Sequence, residues 1–174
     1  MDWAGGGIDA LVQLTGNIHR AVTWAELTEE DWRFDLWANM VMPFYLAARS
    51  IHHMKGGGRI VLTSTASASH GGGSTSLAYG AGKAGIECIV KRLARDCAGK
   101  AILVNAIAPG FILTKFHTGR MGRSPEELAA RERLIPMKRA GTPGEVAATI
   151  LFLLSEGAGY ITGQVIPVSG GDFL

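Results

Sequence analysis

Short apolar runs rich in β-branched residues alternate along the chain with stretches of helical period, and this alternation limits the fold more than any other feature. Residues 8–14, 59–63, 102–107 and 165–168 read as four buried strands. Between the first two, Thr28 and Asp31 form a hydroxyl cap with an acidic residue three positions on. They open an apolar pattern, Trp32, Leu36, Met40, Phe44, Ala47 and Ile51, that ends at Gly56-Gly57-Gly58. Residues 77–96 carry Ile86, Ile89, Val90, Leu93 and Ala94 at helical spacing and run on to Gly99. Ser124-Pro125 and Thr142-Pro143 each set a hydroxyl before a proline at the first helical position, with Glu127 and Glu145 in the first turn; the second of these helices runs to about Leu154.

Four such alternations predict an α/β fold with a parallel sheet whose strands follow chain order. Right-handed crossovers place the first two helices on one face. The opposite face and the edge of the first strand are then expected to lie bare, to be covered by a second copy or a partner chain. With 174 residues, 47% hydrophobic and 18% charged, the chain is the size and composition of one packed domain. Its 17 Lys and Arg against 15 Asp and Glu leave no basic stripe, which argues against nucleic-acid partners. The longest apolar run, 146–154, is half a membrane span, and the N-terminus has no basic-then-apolar signal pattern. Cys88 and Cys97 lack redox or zinc spacing, and the five histidines lack ligand spacing, so no metal and a reduced, cytoplasmic protein are expected.

Tyr79 and Lys83 stand four apart at the start of a helix, on one face, directly after a hydroxyl-rich loop at 64–76. An ammonium within reach of a phenol lowers its pKa by roughly 1 to 3 pH units and makes it a usable general acid or base. Lys83 is expected to do so for Tyr79.

The surrounding segments are IDALVQLTG at 8–16, Asn39 in WANMVMPF, Gly58-Arg59-Ile60-Val61 with its following hydroxyls, Tyr79-Gly-Ala-Gly-Lys83-Ala, VNAIAPGFILT at 104–114, and ITGQV at 161–165. In order and spacing they resemble the short-chain dehydrogenase/reductase family over essentially the whole chain. The resemblance implies an incomplete Rossmann-like, doubly wound parallel sheet of about four strands with flanking helices, in a single truncated domain over 1–174. It also implies interconversion of a small carbonyl compound and its alcohol with NAD or NADP. Tyr79 would exchange the proton, Lys83 would lower its pKa and hold the nicotinamide ribose, and Asn39 would hold a relay water through its backbone. The hydroxyl that steadies the alkoxide falls on Thr65, with Ser64 and Ser67 as alternatives, because the separation from Tyr79 is one residue longer than usual. Gly16, Lys83, Pro109, Gly110 and Thr114 match cofactor-contacting positions.

Residues 111–139 correspond to the family's variable substrate lid. They carry Arg120, Arg123, Arg131, Arg133, Lys138 and Arg139, which suit either an anionic substrate or a solvated helix face. The chain departs from the family in having no Gly-rich turn between a strand and a helix N-terminus to hold a pyrophosphate. Met1 falls where members finish their third helix, so three strand–helix units of roughly 30 residues each are expected to be absent. Gln13-Leu14-Thr15-Gly16 stands where Asn-Asn-Ala-Gly is usual. Two alternatives stay open: a cofactor-independent isomerase or dehydratase using the Tyr–Lys pair, and a non-catalytic interaction module using the bare sheet face. A homo-oligomer, or a partner chain that completes the site, is expected.

Overall fold

A computed structural model of the protein describes residues 7–120 and 122–172. Met1, on which the expectation of absent N-terminal units rested, lies outside them. Four strands, β1 (Ala10–Val12), β2 (Arg59–Thr63), β3 (Leu103–Pro109) and β4 (Val165–Val168), form one parallel sheet in the order β1-β2-β3-β4. The first strand is shorter than predicted because it pairs on one side only. Its ladder is prolonged by single bonds, from the Gln13 N–H to the Val61 carbonyl and from the Arg59 N–H to the Asp9 carbonyl.

The α-helices among the described residues are α1 (Glu29–Leu36), α2 (Met42–His53), α3 (Leu77–Cys97), α4 (Pro125–Leu134) and α5 (Pro143–Leu154), of which α2, α3 and α5 pack on the sheet. Side chains alternate across a strand. Ile60, Leu62, Val104 and Ala106 accordingly pack against Ala47 of α2 and Ile86, Val90 and Ala94 of α3. Val61 and Ile107 point the other way, onto Ile150 and Leu153 of α5 and the following Ala158. The expectation of a bare second face is thereby corrected: α5 covers it over β2 and β3. At the β1 end of the sheet Val12 is 38% and Leu14 is 56% accessible. Since the strands run in one direction across the sheet, a helix on the opposite face makes the last crossover opposite in hand to the first two.

The single helix predicted after Thr28 is a rod in three parts, α1, a π-turn at Trp37–Val41, and α2. In a regular α-helix the Asn39 carbonyl would accept the N–H of residue 43, but Pro43 has none. One turn widens instead, with the Met42 N–H donating to the Trp37 carbonyl. Among the described residues no helix is long and apolar enough to cross a membrane.

Candidate active site

The segment after β1 is pinned by side chains spaced four apart along α1 and the π-turn. Asp31 is fully buried; its carboxylate accepts from Arg20 Nε and Nη2 at 2.9 and 2.6 Å, from the Thr28 N–H at 2.9 Å, and lies 2.9 Å from His19 Nδ1. These bonds hold it well below the usual carboxylate range, with the Arg20 pair foremost. Asp35 accepts the His19 N–H at 2.7 Å. Asn39, also fully buried, accepts the Asn17 N–H at 3.0 Å and donates Nδ2 to the carbonyls of Asn17 (2.6 Å) and Asp35 (2.8 Å). This fixes Gly16 so close to the helices that a Cβ there would lie 3.0 Å from both Asn39 Oδ1 and Lys83 Nζ.

Lys83 reaches the same place from α3. It is buried, and its ammonium donates to the Thr63 carbonyl at 2.9 Å and the Thr15 carbonyl at 3.4 Å, tying α3 to the ends of β2 and β1. Burial pulls its pKa down to about 8. Two of its three protons are thus used, and the third is left for a ligand. The close approach of α3 to the rod depends on Gly82, whose missing Cβ would come within 3.1 Å of Asn39 Cβ.

Tyr79 lies one turn before Lys83, with the Lys83 ammonium 5.8 Å from its ring centroid. As a residue it is partly exposed, yet its hydroxyl is enclosed, and that burial pushes its pKa up to about 12. A hydrogen bond from Thr65 works against the rise, and the charge of Asp35 adds to it. The expected lowering by Lys83 does not occur here, because the ammonium sits over the ring and gives its protons to backbone carbonyls.

The three candidate hydroxyls part company. Ser64 continues the alternation of β2, its N–H bonded to the Ile107 carbonyl, and so faces α3. Its Oγ donates to Glu87 Oε1 at 2.8 Å and to the Lys83 carbonyl at 3.1 Å. Thr65 is the hydroxyl brought to Tyr79, and its Oγ1 also lies 3.2 Å from Ser67 Oγ. Pro109 and Gly110 close β3 beside β4, the Gly110 N–H donating to the Val168 carbonyl, and Thr114 begins the excursion that follows.

Gly16, Ser64, Thr65, Ser67, Tyr79, Lys83, Pro109, Gly110 and Thr114 all line one cleft of about 550 Å³ at the C-terminal ends of the strands. Clefts of a few hundred Å³ there are where open α/β sheets take small ligands. Asn39 is not in the lining; it acts behind Gly16.

Residues 2–172 match the family described as Enoyl-(Acyl carrier protein) reductase. The fold superposes on a short-chain dehydrogenase/reductase from Brucella melitensis with a TM-score of 0.88 at 32% identity, over 97% of this chain and 66% of that one. The chain belongs to the short-chain dehydrogenase/reductase family. It is 38% identical to the 3-oxoacyl-(acyl-carrier-protein) reductase of Thermotoga maritima over 95% of its own length and 66% of that protein's, so it spans about two thirds of that relative. A 3-oxoacyl-(acyl-carrier protein) reductase of Brucella melitensis with bound NAD superposes with a TM-score of 0.87 at 30% identity, over 99% of this chain and 65% of that one.

For a short-chain dehydrogenase/reductase the cleft fits the nicotinamide end of such a cofactor. The third Lys83 proton suits a ribose hydroxyl, and the missing Cβ of Gly16 keeps that ammonium accessible. Sequence reasoning missed three parts of the site. Ile18 and Phe116 line it, and the Phe116 ring sits 6.3 Å from that of Tyr79. His117, passed over for want of ligand spacing, packs its ring tilted 4.5 Å from that of Phe111, and burial pulls its pKa down to about 4. The one legible signal was the Phe-His pair just past Thr114, in a segment otherwise rich in cations.

Proposed function

We propose that this chain, within the oxidoreductase chemistry of its family, reduces a small carbonyl compound to its alcohol, with Tyr79 as proton donor. What carries this is the pairing of Tyr79 with Thr65 in a cleft that also holds the Lys83 ammonium. A phenol near 12 stays protonated at neutral pH, which suits a general acid in the reductive direction. It suits a cofactor-free base poorly, since that role needs a phenolate.

Lys83, with Gly16, Pro109, Gly110 and Thr114, would hold the nicotinamide end of NADH or NADPH, which when bound supplies hydride to the carbonyl carbon. Tyr79 gives its proton to the carbonyl oxygen, and the Thr65 hydroxyl donates a hydrogen bond to the same oxygen as charge gathers on it. Lys83, mostly protonated below about pH 8, offsets the phenolate left on Tyr79. The Asn39 carbonyl, deprived of a donor at Pro43, is suited to hold a water that returns the proton. Ser64 and Glu87 act by anchoring α3 to β2. We assign a cytoplasmic enzyme assembled from copies of this chain or completed by a partner.

Titration with NADH and NADPH by calorimetry, alongside cofactor oxidation with a panel of small ketones and aldehydes, tests the assignment. Micromolar binding of one cofactor is expected, with a loss of about 100-fold or more in turnover for Tyr79→Phe at unchanged cofactor affinity. No binding up to millimolar cofactor, or full turnover by Tyr79→Phe, overturns it.

A further inference from the structure

The cleft wall contributed by the segment after β3 has an electrostatic character that Tyr79 and Lys83 do not account for. Among the described residues no Asp or Glu lines the cleft, whereas Arg123 and Arg131 both do. Of the six cationic residues predicted on this segment, several are spoken for elsewhere. Arg139 pairs with Glu145 at 2.6 Å, and Lys138 donates to the Arg133 carbonyl. Arg131 pairs with Asp172 while lying over the Phe111 ring. Arg123 differs: it is half-buried in the wall, and among the described residues no carboxylate pairs with it.

Beside it stands a second unsatisfied group. The Arg123 N–H donates to the His117 carbonyl at 3.0 Å, which locks the two residues into one turn. The His117 ring is held between Phe111 and Phe116, 4.5 and 5.4 Å away, and its buried Nδ1 has no hydrogen-bond partner among the described residues. Among the described residues the guanidinium has no counter-ion and the buried imidazole nitrogen no partner, and one anion between them would satisfy both. Guanidinium is the side chain best shaped to receive a carboxylate.

We infer that the substrate is a carbonyl compound bearing a carboxylate, which Arg123 receives and His117 hydrogen-bonds, with its apolar part against Phe111 and Phe116 and its carbonyl at Tyr79. This rests on the reductase assignment above and adds the substrate class. Burial and then the charges of Arg123 and Arg131 depress His117; a bound anion opposes those charges and raises it.

Calorimetric titration with phenylglyoxylate and 3-benzoylpropionate, each against its methyl ester, tests the inference in the wild-type protein and in Arg123→Ala. For at least one pair the acid is expected to bind about tenfold or more tighter than the ester, and Arg123→Ala to bring that ratio close to one while leaving ester and NADPH affinities unchanged. Arg123→Gln serves if the alanine variant fails to fold by circular dichroism, and Arg123→Lys should keep part of the preference. Equal binding of acid and ester by the wild type overturns the inference, as does no acid binding up to about 10 mM. A variant that loses NADPH affinity in step with the acid overturns it too, since the arginine then serves the cofactor phosphates. An intact acid preference without NADPH oxidation on any carbonyl compound sinks the reductase assignment and leaves the anion site standing. Reduction of the ester as readily as the acid does the reverse.

Discussion

Lys83 keeps its charge where burial works against it, and that has a measurable signature. Its pKa falls from 10.5 to about 8 on folding, so between those values the unfolded chain holds more protons. Stability therefore rises with pH across that window and is lost as pH falls back through it, on the order of 3 kcal/mol in all. Tyr79 shifts upward from 10, so its own effect, a loss of stability with rising pH, begins only above that value. Urea unfolding at pH 7.5 and 9.5 should show the gain in the wild type and none in Lys83→Met; equal gains would refute this account of Lys83. His117 behaves likewise at lower pH: stability falls as pH drops from 6.5 to about 4, on the order of 1 kcal/mol after solvent screening. His117→Asn should flatten that arm in acid unfolding. That Tyr79 and Lys83 share one face of a helix was legible from their spacing, while the reason to single them out lay in the segments around them. The choice between Ser64 and Thr65 was not made from sequence, although strand alternation contains it: counting by twos from Ile60 and Leu62 puts Ser64 toward α3.

At the scale of elements, the rod formed by α1, the π-turn and α2 holds the site more than it covers the core. Asn39 makes three side-chain hydrogen bonds that keep the segment after β1 against Lys83. Asn39→Ala leaves their partners unsatisfied in a buried place, at about 3 kcal/mol by analogy with other buried hydrogen-bond deletions. It should also weaken NADPH binding by displacing Gly16, whereas Met40→Ala on the same turn should leave NADPH binding intact; calorimetry and urea melts on both variants separate the effects. The cap at Thr28 and Asp31 could be read directly from sequence. The π-turn could not, because hydrophobic period carries straight through it; its sign is a proline four residues after Asn39, which bears on hydrogen bonds and not on apolar pattern.

At the scale of the molecule, the strand count, the parallel pairing and the chain-order sheet followed from the alternation of apolar runs. The side taken by α5 did not, because the handedness rule for crossovers points to the other face. Leu153→Ala tests how much that packing matters. Leu153 is 1% exposed between β2, β3 and the segment after α5, and its truncation should cost about 2–5 kcal/mol in urea unfolding. A cost below about 1 kcal/mol would mean that α5 rests on the sheet without bearing weight. Light scattering across a concentration series addresses assembly, with a mass above 18.4 kDa expected. The placement of α5 also divides labour around the cleft. Tyr79 and Lys83 come from a helix on one face of the sheet, while Val146, Ala147 and Ile150 of α5 enter the same lining from the other. A change of shape on α5 can thus retune what fits without disturbing the proton donor, so that chemistry and selectivity are free to drift separately within one small fold.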